Sequence, residues 1–451
     1  MFFLKKRNFI FLLHSMIFIV MYFFVYNFCN FNSFEDNIKF LNTLLVIQLF
    51  SFIFLKFYIE GVNGFFLKTY NTFFLIFSVF HLGIGISEFF GYSNEYFDQQ
   101  LVKWYISEDT LYSLYSIAVF TTTYIFLGSF DFHYKIKNKP NYSSLVYKIN
   151  NYFLVFLSFF WILVVYFIVG INSYQEIYST ENDIFYIIFV YGTAIINISF
   201  LFTLLDPKRN TYPLVVFFIW GLAAFSIGVR GPVFYQCALT VAILISQGRI
   251  HLNYTKLSIV SILFFSMLAY KFLERNDLDV DNLFNPLSSI REMGGSLRPV
   301  REAHLWIKDG MSMFYGETYL APIDRLFNKI FHIKEVLPGN MDERLMNVMI
   351  MNKAGPYGFS IVAEAYVNLK NYGVLLVSFL SVLLFKIVDS KIENKTIGVF
   401  SLIIAYLFFY HIRQAFVSAF GVTLFSILYI FALFFIAWFL GKIVLRRRYN
   451  I

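Results

Sequence analysis

The chain has 451 residues, of which 59% are hydrophobic and only 14% are charged, and its formal net charge is +8. A soluble fold of this length could not bury so much apolar surface, so the composition indicates a membrane protein. The positive charges are distributed among short loops, which argues against nucleic acid as a partner. The two cysteines, Cys29 and Cys237, are too few for a disulfide framework or a cysteine-based metal site.

Apolar runs of about 17 to 25 residues predict about twelve transmembrane helices, and hence an all-α polytopic membrane protein. The first run follows the basic residues Lys5, Lys6 and Arg7 and lacks a small-residue cleavage site, so we expect a retained signal anchor. The predicted spans are 8–28, 38–58, 70–90, 110–130, 150–171, 184–205, 213–229, 232–247, 257–273, 371–388, 397–413 and 418–441.

Lysine and arginine are concentrated in alternate loops of this plan. With a cytoplasmic N-terminus, the inner loops hold most of the basic residues outside one long polar segment, whereas outer loops such as NSFEDN are acidic. The positive-inside rule therefore predicts a multi-pass protein with both termini in the cytoplasm.

One long polar segment, residues 274–359, interrupts the apolar pattern. It divides the chain into a membrane domain of about nine helices (1–273), a large external loop (274–359) and a second membrane domain of about three helices (360–451). We expect most charged residues of the loop to be paired with one another.

The exception in the loop is the stretch REMGGSLRPVREAHLWI. Arg291, Arg298 and Arg301 fall within eleven residues of one another here, beside a Gly-Gly turn. Arginine forks donate paired hydrogen bonds to phosphate oxygens, so the cluster suits a diphosphate ligand.

Two further arginines are predicted at the outer ends of spans. Arg230 lies in the short glycine-rich turn of FSIGVRGPVF, and Arg413 follows His411 in FYHIRQAF. An interfacial arginine that extends to the membrane surface has the same pattern, so both a structural and a ligand-binding interpretation stay open.

The segment after the loop carries the most specific local pattern. Gly355 and Gly358 flank a proline, which predicts a break and a helix that begins near residue 359 or 360, capped by Ser360. Four-residue spacing places Ser360, Glu364 and Asn368 on one helix face. The Glu364 carboxylate could pair with an arginine, or could orient or deprotonate an attacking hydroxyl.

Together these features resemble the O-antigen and capsule repeat-unit polymerases, the Wzy family. The resemblance is carried by the SIGVRGP turn, the GSLRPVRE stretch, the GETY stretch at Gly316–Tyr319, and a G-x-S-x-x-x-E-x-Y-x-N-x-x-x-x-G pattern. In this chain the pattern comprises Gly358, Ser360, Glu364, Tyr366, Asn368 and Gly373.

The resemblance implies a GT-C-like glycosyltransferase of the bacterial inner (cytoplasmic) membrane that needs no metal and no cofactor. Such enzymes join oligosaccharide units carried on undecaprenyl diphosphate, at the outer membrane face, and a polysaccharide chain-length regulator is a candidate partner. On this resemblance we expect Glu364 and Arg298 to be catalytic. The expected diphosphate ligands are Arg230, Arg291, Arg301 and Arg413, and the expected acceptor-binding residues are Tyr319, Tyr366, Asn368 and His411.

Two other functions remain open. An O-antigen ligase would rely on an external histidine, for which His304 and His332 are available, although the Glu364 pattern favours a polymerase. A lipid-linked oligosaccharide flippase would be expected to carry charges along its spans, and the middles of these spans are almost free of them.

Overall fold

A computed structural model describes residues 6–28, 33–92, 104–130, 144–168, 170, 183–206, 211–227, 229, 231–259, 261, 286–355, 358–391 and 395–449, and every regular element in these ranges is helical. The α-helices are α1 (Lys6–Phe28), α2 (Phe34–Leu67), α3 (Thr69–Phe89), α4 (Glu108–Gly128), α5 (Ser144–Ile162), α6 (Asp183–Leu204), α7 (Tyr212–Ser226), α8 (Gly231–Ser246), α9 (Pro286–Met293), α10 (Leu297–Lys308), α11 (Glu317–Phe331), α12 (Met346–Lys353), α13 (Ile361–Lys391), α14 (Lys395–His411) and α15 (Phe416–Tyr449). A π-helical turn, Leu163–Ile168, continues α5, and short 3₁₀ turns lie at Gly294–Ser296 and Gly339–Met341.

The described helices confirm the all-α polytopic class. Seven are long and apolar enough to cross a membrane, namely α1, α2, α3, α4, α5 with its π turn, α13 and α15. Four shorter apolar helices, α6, α7, α8 and α14, match the remaining predicted spans except one. That span, 257–273, lies largely outside the described residues, as does Arg230. The division into three domains stays a prediction.

The chain forms two compact units. The first comprises residues 1–133, 252–386 and 411–419, and the second comprises 134–251, 387–410 and 420–451. The second unit has its own polar core, in which Asn150 donates to the carbonyl of Ser199 at 2.9 Å and accepts a 2.7 Å bond from Tyr429. Hydrogen bonds of this kind between helices are favoured where lipid provides no partner.

The first unit, which holds the residues of interest, is built on aromatic packing between α3 and α4. Tyr70 and Tyr124 stack with ring centroids 4.5 Å apart, and each hydroxyl donates to the other residue's carbonyl, at 2.8 and 2.9 Å. Phe77 stacks on Phe120 one level further along, at 4.2 Å. Both tyrosine hydroxyls are thereby satisfied inside an apolar region.

Polar side chains join α4 to α13 at three levels. Ser116 donates to Asn371 at 2.7 Å, and Ser378 donates to the carbonyl of Phe120 at 3.0 Å. At the far end of α4, Lys386 donates to the carbonyl of Gly128 at 2.9 Å. A cation is favoured at this position, because the last carbonyls of a helix lack intrahelical partners and carry partial negative charge.

The long polar segment contacts α3 through two glycines. A Cβ on Gly83 would lie 2.0 Å from the carbonyl oxygen of Ile290, and a Cβ on Gly294 would lie 2.3 Å from the amide nitrogen of Ile84. Any side chain at either position would separate the two segments. The predicted Gly-Gly turn is therefore a site of close packing, from which α10 projects.

Candidate active site

The candidate site is organised around the N-terminus of α13, which begins at Ile361. Ser360 caps it as predicted, since its hydroxyl oxygen accepts a 3.1 Å bond from the amide of Val362. The same hydroxyl lies 2.7 Å from Nε2 of the buried His81 on α3. The carbonyl of Phe77 can only accept a hydrogen bond from Nδ1 of His81, so Nδ1 carries the proton. Nε2 therefore accepts from the hydroxyl of Ser360.

Gly358 brings this helix start against the turn between α14 and α15. A Cβ on Gly358 would lie 2.5 Å from the carbonyl oxygen of Arg413, so only glycine permits the approach. Three residues later in that turn, the amide of Phe416 donates to Oε2 of Glu364 at 2.7 Å. The end of the long polar segment and the turn that carries His411 and Arg413 therefore meet at Glu364.

Glu364 is 1% exposed, and the side chain of Thr318 lies next to its carboxylate. Its Oε2 has the Phe416 amide and lies 4.0 Å from Nδ1 of His411. Its Oε1 has no hydrogen-bond partner among the described residues. A buried polar atom without a partner is uncommon and costly, and such atoms occur where a ligand or reactant completes the set.

His411 and Tyr319 present two more unsatisfied atoms beside this carboxylate. Nδ1 of His411 lies 2.7 Å from the carbonyl of Gln414 and must donate to it, which leaves Nε2 as a buried acceptor. The Tyr319 ring stands nearly perpendicular to the His411 ring, at 6.3 Å, and its hydroxyl is also buried without a partner within the described part of the chain. Burial raises the pKa of Tyr319 well above its usual value, and the nearby Glu364 adds to the shift. The phenol is therefore a donor.

Asn368 holds the GETY stretch in this position. Its Nδ2 donates to Oγ1 of Thr318 and to the carbonyl of Glu364, both at 2.7 Å, and its Oδ1 accepts from the amide of Gly316 at 2.7 Å. The prediction that Asn368 contacts the acceptor is not tested by these bonds. They make it the link through which Tyr319, the residue after Thr318 in α11, is positioned.

A break in α13 follows directly. Leu369 and Lys370 leave the helical conformation, with Lys370 at φ 51° and ψ −142°, and the helix then resumes. A Cβ on Gly373 would lie 2.1 Å from the carbonyl oxygen of Ala365, so this glycine allows the two halves to pack closely. The last glycine of the sequence pattern thus has a local steric reason.

The predicted arginines separate into different environments. Arg301 donates to Oε1 of the buried Glu302 at 2.8 Å, and Nε of Arg298 lies 3.9 Å from the same oxygen. Two guanidinium groups therefore share one carboxylate. The guanidinium of Arg298 also lies 5.9 Å from the ring of Trp104.

Arg291, by contrast, is buried and links α9 to α3. It donates to the hydroxyl of Ser87 at 2.8 Å and lies 3.8 Å from the carboxylate of Glu88. Arg413 is exposed, with its guanidinium 5.6 Å from the ring of Phe80. The structure thus places Arg413 in the turn that contacts Gly358 and Glu364, brings Arg298 and Arg301 together at Glu302, and sets Arg291 apart.

Comparison with known proteins identifies the family of the chain. The family profile described as O-antigen polysaccharide polymerase Wzy matches residues 8–446. The chain belongs to the Wzy family. It is also similar to Protein CapE of Staphylococcus aureus, with 28% identity over 286 residues, which cover 61% of this chain and 63% of the relative. The chain thus matches slightly under two thirds of that relative's length. No solved structure is significantly similar to it.

In this Wzy family member, Tyr366 lies apart from the other predicted acceptor-binding residues. It is two positions after Glu364, which places the two side chains on nearly opposite sides of the helix. Its ring stacks on His304 of α10 at 3.6 Å, and Nε2 of His304 lies 3.0 Å from the hydroxyl of Ser116. Burial lowers the pKa of His304 to about 3, so the imidazole is neutral at physiological pH.

Two further arginines of the long polar segment share one carboxylate. Arg344 binds both oxygens of the buried Asp342 at 3.0 Å, and Arg325 reaches the same carboxylate at 3.0 Å. The Arg344 guanidinium holds the pKa of Asp342 below its usual range. His332, one of the two histidines considered for a ligase, is exposed at the end of α11.

Sequence reasoning missed His81, Thr318 and the amide of Phe416. A histidine inside an apolar span was an available signal for His81, because ionisable groups are rare there and seldom lack a role. Thr318 and the amide had none, since their relevance arises only from folding.

Proposed function

We propose that this protein polymerises oligosaccharide repeat units carried on undecaprenyl diphosphate, at the outer face of the inner membrane. Family membership supports the polymerase reaction. The observation that carries the site assignment is the buried carboxylate Glu364, whose Oε1 has no hydrogen-bond partner within the described residues. Such an oxygen can accept the proton of an attacking hydroxyl.

In this reaction, a hydroxyl oxygen of the acceptor sugar attacks the anomeric carbon of the donor sugar. The new glycosidic bond forms as the bond to the diphosphate oxygen breaks, and the lipid diphosphate leaves with the electron pair. Glu364 takes the hydroxyl proton, while Nε2 of His411 and the hydroxyl of Tyr319 orient the acceptor. Direct displacement of this kind inverts the anomeric configuration.

Negative charge builds up on the leaving diphosphate, and catalysis requires this charge to be stabilised more in the transition state than in the substrate. We assign that role to Arg298, Arg301 and Arg413, with Arg230 as a further candidate outside the described residues. Arg291 is the weakest of the five candidates, because Ser87 and Glu88 already engage it. The proposed reaction needs no metal, so synthesis by the purified protein should persist with a chelator present.

The test of the function is deletion of the gene and complementation, with glycan separated on gels. Loss of the long ladder with retention of a single attached unit supports a polymerase. Loss of all attached units would instead indicate a ligase or a flippase. Reporter fusions at both ends test the cytoplasmic placement of the termini, and pull-down of a chain-length regulator tests that partnership.

The site assignment is tested by Glu364→Gln, which keeps the side-chain volume and removes the proton acceptor. We expect the ladder to collapse while protein levels stay normal. Glu343→Gln, at an exposed carboxylate of the same loop region, is the matched control and should leave the ladder intact. A full ladder from Glu364→Gln would exclude Glu364 as the base. Arg298→Lys should also impair synthesis, because lysine lacks the fork that binds two phosphate oxygens.

A further inference from the structure

A second site in the first unit lies on the other side of α13 from Glu364. It is a groove of about 900 Å³ between α1, α4 and α13, with one turn of α10 at its mouth. Tyr366 and His304 line it, whereas Glu364, His411 and Tyr319 do not. The groove is therefore separate from the proposed catalytic residues, although Glu364 and one wall of the groove belong to the same helix, α13.

The groove changes from polar to apolar along α4. Asp109 and Tyr112 line its mouth, and Phe126 and Leu127 line its far end. Asp109 and Leu127 are eighteen residues apart on one helix, which at about 1.5 Å per residue corresponds to about 27 Å. This length is close to the roughly 30 Å thickness of the hydrocarbon core of a bilayer.

The wall formed by α13 has the same gradient. Lys370 and Asn371 lie at the mouth, directly after the break in the helix, and Leu375 and Phe379 lie further along. A ligand that fills the groove must therefore be polar at one end and apolar over most of its length. A free oligosaccharide would leave its hydroxyls unpaired against such a wall.

The mouth offers donors for an anion. Lys308 lies 2.6 Å from Glu108 and 3.6 Å from Asp109, so its charge is offset by these carboxylates. Lys370 is exposed and has no ion pair among the described residues. The Oδ1 atom of Asn371 accepts from Ser116, which leaves its N–H groups for a ligand. Phosphate oxygens accept bonds from such groups.

We propose that this groove binds the polyprenyl chain of a lipid-diphosphate-linked substrate, with the diphosphate beside Lys370 and Asn371. The identity of the ligand rests on the proposed function. Polymerisation joins two lipid-linked units, so it requires two lipid positions. The arginines proposed for the leaving group, Arg298, Arg301 and Arg413, take the leaving diphosphate. The groove provides the second position, where the diphosphate is not cleaved and a lysine suffices.

Binding to the purified full-length chain in detergent tests this inference, measured by native mass spectrometry. The probes are a long-chain polyprenyl diphosphate, farnesyl diphosphate, inorganic diphosphate and phosphatidylglycerol. Leu375→Trp places an indole in the groove, and Leu376→Trp is its matched control, because Leu376 is similarly exposed (45% against 49%) and lies outside the lining. Lys370→Glu is paired with Lys329→Glu, at an exposed lysine of α11.

We expect Leu375→Trp and Lys370→Glu each to weaken binding of the long-chain diphosphate on the order of tenfold or more, while the two controls match the wild type. Farnesyl diphosphate should bind more weakly, because it fills only part of the groove. The inference is wrong if Leu375→Trp and Leu376→Trp behave alike. It is equally wrong if inorganic diphosphate or phosphatidylglycerol binds as well as the polyprenyl diphosphate.

The measurement involves no turnover, so it is independent of the polymerase assay. A chain that binds the lipid in this groove but makes no polymer on complementation would contradict the proposed function alone. A chain that makes normal polymer, with binding unchanged by Leu375→Trp, would contradict the groove alone.

Discussion

The contact between Gly358 and Arg413 allows a sharp test of how the site is assembled. In Gly358→Ala, the new Cβ would lie 2.5 Å from the carbonyl oxygen of Arg413 and 3.4 Å from its Cγ. The first distance is too short for a real contact, so the turn must move by at least about 0.5 Å. The backbone at Gly358 does not have a positive φ, so the clash is the main cost of the substitution.

The displacement acts on Glu364 through the same turn. The amide of Phe416 donates to Glu364 Oε2 at 2.7 Å, and a shift of this size weakens or breaks that bond. Hydrogen bonds to charged groups contribute about 1.5 to 3 kcal/mol, and overpacking costs about 1 to 3 kcal/mol. A misplaced carboxylate should therefore lower the transfer rate by about 10- to 100-fold.

The assay is the glycan ladder made by a deletion strain that carries each variant, normalised to the protein level, together with the thermal midpoint of the purified chain. Gly295→Ala is the control, because a Cβ there would meet nothing within 4 Å. A wild-type ladder and midpoint for Gly358→Ala would refute this reasoning. Equal damage from both substitutions would show that the close approach at Gly358 is not the cause.

Three further predictions concern neighbouring residues. Asn368→Asp removes the donor to Thr318 and places a second carboxylate four residues from Glu364. We expect the free energy of unfolding to fall by about 2 to 3 kcal/mol, seen as a lower thermal midpoint. An unchanged midpoint would contradict the role assigned to this amide. Burial lowers the pKa of His304 to about 3, so the unfolded chain binds a proton below about pH 6.5 that the folded chain does not, and stability falls as the pH falls. His304→Gln should therefore reduce the loss of stability between pH 6.5 and 5 by about 2 kcal/mol, and an identical pH dependence of the midpoint in both proteins would refute this. Arg344 and Arg325 hold the pKa of Asp342 below its usual range, so the stabilisation is present at neutral pH and lost as the pH falls below about 4. Asp342→Asn should therefore speed proteolysis of the long polar segment at pH 7 but not at pH 3, and equal acceleration at both pH values would contradict the ionic origin of the stabilisation.

Much of the helical plan was predictable because membrane spans are long, apolar and locally encoded. The Ser360 cap was also predictable, since capping depends on neighbours in the sequence. The break at Leu369 and Lys370 was not, because neither residue is a helix breaker by type. It depends on Gly373, whose significance appears only once the carbonyl of Ala365 is seen against it.

Prediction of the candidate site from the sequence was limited in the same way, because contacts between distant segments are not encoded locally. Spacing along the chain grouped Arg291 with Arg298 and Arg301, yet the structure ties Arg291 to α3 and joins the other two through Glu302. Their functional roles remain predictions. Proximity of Glu364 to His411 was not readable from the sequence, because it depends on a glycine contact between segments more than fifty residues apart.

The three polar links between α4 and α13 have a consequence for the bilayer. Hydrocarbon offers no replacement partners for Ser116, Ser378 or Lys386, so the two helices cannot slide along each other without losing all three bonds together. When the bilayer is thinner or thicker, α4 and α13 then tilt together to accommodate it. Lys370 therefore keeps a constant distance from the far end of α4, whatever lipids surround the protein.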